Sequence, residues 1–138
     1  MTLTEFLTAR IDEDATAAKA CQSPSPWKAA THPSDHWIVT DATGDALIYD
    51  EGTPTLEEAA HIARHDPARV LREVEAGRKI LAEHAPLERP GTVTPVICRV
   101  CWTSPKEGPL EGDAWPCFTV ASLAAVWSDH PDYRQEWA

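Results

Sequence analysis

Cys98, Cys101, Cys117 and His130 have side chains that bind metal ions, and they fall in the pattern C-x2-C-x15-C-x12-H. A two-residue spacer lets both thiolates of a pair reach one ion, and later turns of chain supply the other ligands. Three thiolates and an imidazole make a tetrahedral zinc set, and a closed set of this kind is structural. Two features count against it: Cys-Arg-Val-Cys has no glycine to turn the backbone toward a metal, and there is no second C-x2-C pair. The same cysteines also read as reduced, partly buried thiols, a common fate of free cysteine. A redox pair is the third reading, but such pairs normally open a helix, and this one follows β-branched residues. Cys21 falls on the apolar face of a helix and reads as core.

His61 and His65 form a second candidate polar site. Residues four apart on a helix point the same way, so both imidazoles can face one ion. A metalloprotease helix needs Glu directly after the first histidine, and Ile62 stands there. Either histidine can also complete the cysteine site in place of His130. The plainer reading gives His65 a local hydrogen bond at a helix junction. His84, at a helix C-terminus, suits the helix dipole and needs no function. His32 and His36 read as surface residues of a proline-rich loop. The paired acids Asp12 and Asp14, and Glu57 and Glu58, lie on solvated helix faces. The chain has no phosphate-binding glycine loop, nucleophile elbow or EF-hand, and no nucleophile, base and oxyanion donor assemble along it.

The elements that must position these residues are signalled locally. Thr2 with Glu5, and Thr55 with Glu58, spell capping boxes ahead of apolar residues at helical spacing. They predict helices over 3–21 and from 55 onward. Asp66 and Pro67 break and restart the second, giving a helix pair over 55–84. Residues 36–50 predict a β-hairpin, its turn at Asp41–Gly44 and its strands too few to stand alone. A strand is expected near 93–100, ending at the cysteine knuckle, within a Cys-containing strand and loop over 93–117. A helix and a docked aromatic tail follow over 118–138. The expected fold is α+β, one domain over 1–138, with about four helices packed on a small, mainly antiparallel sheet. The helix at Pro67 should pack on the first, with Trp27 and Trp37 in the core.

Composition sets the limits. At 138 residues the chain can bury a core without obligatory disulfides. A formal charge of -10, with 12 basic against 22 acidic residues and no basic run, argues against direct nucleic-acid binding. No apolar run is long enough to cross a bilayer, and the N-terminal residues lack a secretory signal, so the expectation is cytoplasmic. The absence of Asn and the excess of Arg over Lys fit a GC-rich bacterial genome or its phages.

Several segments together carry a resemblance: LTEFLTARIDEDATAAKA, SPSPW, the short hairpin, AAHIARHDPARVLREVEAGRKIL, the Trp-Pro-Cys element at 115–117 and HPDYRQEW. The combination resembles a family of small actinobacterial and actinophage proteins of unknown function, DUF6221. Ser25 stands before Pro26-Trp27 where that family has glycine. The resemblance implies a bacterial cytoplasm with phage or mobile-element ancestry, and it implies no reaction, ligand or catalytic residue. The expected function is that of a small acidic, non-enzymatic accessory protein with a structural zinc site, binding another protein of host or phage. The alternative is a small metal-dependent hydrolase using His61, His65 and nearby carboxylates.

Overall fold

The structure, a computed structural model, describes residues 1–48, 54–87, 96–103 and 111–138. The described residues form an α+β fold with four α-helices and two small antiparallel sheets. The chain forms two compact units, one of Met1–Ile11 with Glu75–Ala138 and the other of Asp12–Val74. No described helix is long and apolar enough to cross a membrane.

Helix α1 (Leu3–Ala20) starts as its sequence dictates. The Thr2 amide donates to the Glu5 carboxylate at 2.7 Å, and the Glu5 amide donates back to the Thr2 hydroxyl at 3.2 Å. Two otherwise orphaned amide donors are thereby satisfied. Cys21 lies beyond the last helical residue and is exposed, which corrects its reading as core.

In the unit of Asp12–Val74, strands β1 (Lys28–Thr31), β2 (Trp37–Thr40) and β3 (Ala46–Ile48) form an antiparallel meander. The expected hairpin is β2–β3, and its end at 49–50 lies outside the described residues. Its turn is tied by Asp41, whose carboxylate accepts from the Thr43 amide, the Thr43 hydroxyl and the Asp45 amide. Gly44 takes φ +93°, a conformation that side chains with a Cβ rarely adopt. Strand β1 has no local signal, since Lys-Ala-Ala-Thr carries almost no strand pattern; pairing with β2 creates it. Helix α2 (Leu56–Arg64), opened by the Thr55–Glu58 capping box, packs on β1 and β2 and buries Ala59 there. Ile38 and Val39 are both buried, whereas Trp27 and Trp37 are only half-buried.

Helix α3 (Pro67–Glu83) begins at the predicted break. One Asp66 oxygen accepts from the Arg69 amide at 2.7 Å, and the other accepts from the Trp27 amide at 3.3 Å. Further along, Gly77 admits Ile11: a Cβ at that position would stand 3.3 Å from the Ile11 Cδ1 atom.

Beyond α3, in the unit that also holds Met1–Ile11, strands β4 (Pro86–Leu87), β5 (Ile97–Thr103) and β6 (Glu111–Ala114) form the second sheet, with β5 central. The expected strand near 93–100 thus runs past the knuckle to Thr103, while 93–95 lies outside the described residues. Helix α4 (Phe118–Ala124) and two 3-10 turns, Ala125–Trp127 and Gln135–Trp137, complete it. Its core gathers Leu3, Phe6, Leu7, Cys98, Cys117, Val120, Ala124 and Trp137.

Candidate metal centre

Cys98 and Cys101 lie on one strand, where regular alternation would aim them at opposite faces. A bulge removes that difficulty. Between the pairs Ile97–Ala114 and Trp102–Gly112, β5 advances five residues while β6 advances two. The surplus loops out around 98–101 and turns both sulfurs inward, the task for which the sequence had offered no glycine. The backbone amides of Cys101 and Val100 reach the Cys98 sulfur.

His84 comes to the same place by a short path. It is the first residue after α3, and its amide still bonds the Ile80 carbonyl at 2.9 Å. Two residues later β4 pairs Pro86 with Cys98, and the Arg99 amide donates to the Ala85 carbonyl. The helix end is thereby fastened beside the knuckle. Cys117 arrives from the opposite direction as the N-cap of α4, and the Trp115 amide holds the preceding turn to the Val96 carbonyl at 2.7 Å.

The result is a convergent set. His84 Nδ1 stands 3.4 Å from Cys98 Sγ, 3.5 Å from Cys101 Sγ and 3.6 Å from Cys117 Sγ. All four ligand atoms lie within 4.8 Å of one another. One imidazole nitrogen has a single proton or a single lone pair, so it cannot bond three sulfurs at once. A shared cation can. Zinc with sulfur at about 2.3 Å and nitrogen at about 2.0–2.1 Å in tetrahedral array sets nitrogen–sulfur separations of about 3.6 Å. The three distances match that spacing. Among the described residues this is the one group of three or more His, Cys, Asp or Glu whose ligand atoms converge.

The electrostatics of the set are uneven. Burial raises the Cys98 thiol, but the amides of Cys101 and Val100, with Cys117 and His84, more than offset this and bring it from 9.0 to about 7. Cys101 is pushed up to about 12, by burial first and then by the neighbouring Cys98 and Cys117. A cation at the centre reverses such costs, because metal-bound thiols are held as thiolates.

The structure brings together the three predicted cysteines and supplies the histidine from elsewhere. His130, expected as the fourth ligand, instead orders the tail. Its Nδ1 accepts from Arg10 Nη1 and from the Asp132 amide, each at 3.1 Å, and its ring meets Phe6 edge-on. His84, which by sequence suits a helix end and needs no function, stands with the three cysteines instead. No local signal marks it, because its place depends on the pairing of β4 with β5. His61 and His65 stand together with ring centroids 4.5 Å apart, but His65 Nδ1 donates to the His61 carbonyl and no third ligand converges among the described residues.

The whole chain, residues 1–138, matches the family of unknown function DUF6221. The chain belongs to this family. No curated protein and no solved structure matches it. As a DUF6221 member the chain takes no reaction from relatives.

Proposed function

We propose that this DUF6221 protein is a small accessory module that holds one structural zinc ion on His84, Cys98, Cys101 and Cys117 and binds another protein. The observation that carries the proposal is the convergence of three sulfurs on a single Nδ1 at 3.4–3.6 Å. Four protein ligands leave no open position for a substrate, which favours a structural role. Soft thiolates select zinc over the hard cations magnesium and calcium. Thiolates also persist in a reducing compartment, in keeping with a cytoplasmic setting. The phage or mobile-element setting rests on the family resemblance.

The interaction role is supported by the surface beside the centre. Phe118, directly after the ligand Cys117, is 82% exposed, and Val126 is exposed as well. Phe118 borders an apolar groove with Ala121, Ala125 and Tyr133. An exposed aromatic next to a rigid, metal-fixed helix start is the kind of anchor that protein partners bury. The hydrolase reading has no comparable support, since His61 and His65 lack a converging third ligand among the described residues. The test is affinity capture with wild-type protein and with Phe118→Asp. A partner retained by the first and lost by the second, at unchanged metal content, is the expected result. Equal capture by both would remove the α4 face from the proposal.

A further inference from the structure

The three sulfurs of the centre are not equivalent. Cys98 is 0% exposed and Cys117 1%, both inside the core cluster with Phe6, Val120 and Trp137. Cys98 is in addition reached by the amides of Val100 and Cys101. Such N–H contacts withdraw electron density from a sulfur and quench its nucleophilicity. Cys101 differs in access: it is half-buried and packs against that cluster from outside it.

We propose that Cys101 is a reactive metal-bound thiolate, a modification site for soft alkyl electrophiles whose reaction opens the metal centre. The inference rests on the zinc reading above. Three thiolates and a neutral imidazole around a divalent ion leave one net negative charge, carried mainly on sulfur. A thiolate is the nucleophilic form of cysteine, and access decides which one of a set reacts. In the step itself, a Cys101 sulfur lone pair forms a bond to the electrophilic carbon. The bond from that carbon to its leaving group breaks, and the leaving group departs with the electron pair. No oxidant or reductant takes part. The product is a neutral thioether, a weak ligand for zinc, and the ion is left with two thiolates and one imidazole. Loss of the ion then frees the knuckle, the end of α3 and the start of α4 together, because each supplies a ligand. The centre thus couples chemical damage at one sulfur to the α4 surface that carries Phe118.

The test uses a Cys21→Ser variant of the full chain, since the exposed Cys21 would react independently. Its zinc is first measured, and the protein is then treated with limiting methyl methanesulfonate. Alkylated sites are mapped by mass spectrometry, and released zinc is read with a chromogenic chelator. The expected result is a first methyl group on Cys101, with one zinc released for each chain so modified, before Cys98 or Cys117 reacts. A Cys101→His variant, which keeps four ligands, should bind zinc and lose methylation-triggered release. Protein that contains zinc but is methylated first at Cys98 or Cys117, or retains its zinc after methylation of Cys101, overturns this inference alone. Protein that contains no zinc overturns the metal reading and this inference with it.

Discussion

His84 decides the chemistry of the centre. Without it, three neighbouring thiols would be an ordinary reduced cluster; with its Nδ1 at 3.4–3.6 Å from all three sulfurs, the set has the count and spacing of a closed zinc site. His84→Ala and His130→Ala therefore separate the two candidate fourth ligands. The first should lose most bound metal, and the second should keep it while loosening the tail, because His130 serves Arg10 and the Asp132 amide. Metal analysis of the two purified variants, with circular dichroism to confirm folding, checks this. The three cysteines were legible from their types and the two-residue spacer. The histidine was not, because its place depends on β4 folding back onto β5, and Pro86–Leu87 carries no strand signal of its own. His130 looked right on type and spacing, but sequence order does not reveal that a buried Arg10, 7% exposed, claims its ring.

At the scale of elements, what the sequence foretold is what short-range hydrogen bonds decide. The capping boxes at Thr2 and Thr55 and the Asp66-Pro67 restart need partners only three residues away, and they form as spelled. Strands β1, β4 and β6 depend on distant partners, and Lys-Ala-Ala-Thr or Glu-Gly-Asp-Ala has little intrinsic preference for extended structure. The β2–β3 turn depends on an ionised Asp41, whose carboxyl is held below its ordinary 3.8 mainly by the Thr43 hydroxyl and also by the amides of Thr43, Asp45 and Gly44. A depressed carboxyl stabilises fully above its unfolded value and loses that contribution as pH falls through the folded one. Amide exchange at Thr43 and Asp45 should therefore be slow at neutral pH and accelerate below about pH 3.8, in excess of the intrinsic pH trend. The tail is held by aromatic packing: Trp137 is 6% exposed, with ring centroids 5.1 Å from Phe6 and 5.8 Å from Tyr133. Trp137→Ala should cost about 3–5 kcal/mol in urea denaturation, the range for removing a large buried aromatic. A loss below about 1 kcal/mol would mean the tail is only loosely attached.

At the scale of the whole molecule, a formal charge of -10 repels other polyanions at long range. The α+β class was legible because helix-period and strand-period segments alternate along the chain. The division into two units was not, because its boundaries at 11/12 and 74/75 fall inside α1 and α3, where local pattern is unbroken. All four ligands belong to one of those units, the one that also holds Phe6, Trp137 and α4. Binding energy from a structural metal becomes folding energy of the residues that hold it, so that unit should lose order first when metal is withdrawn. The most direct measurement is elemental analysis of untagged protein purified without added metal. One zinc per chain, absent from His84→Ala and present in His130→Ala, is the predicted result; a folded, metal-free wild-type protein that takes up no zinc when it is supplied would contradict the account.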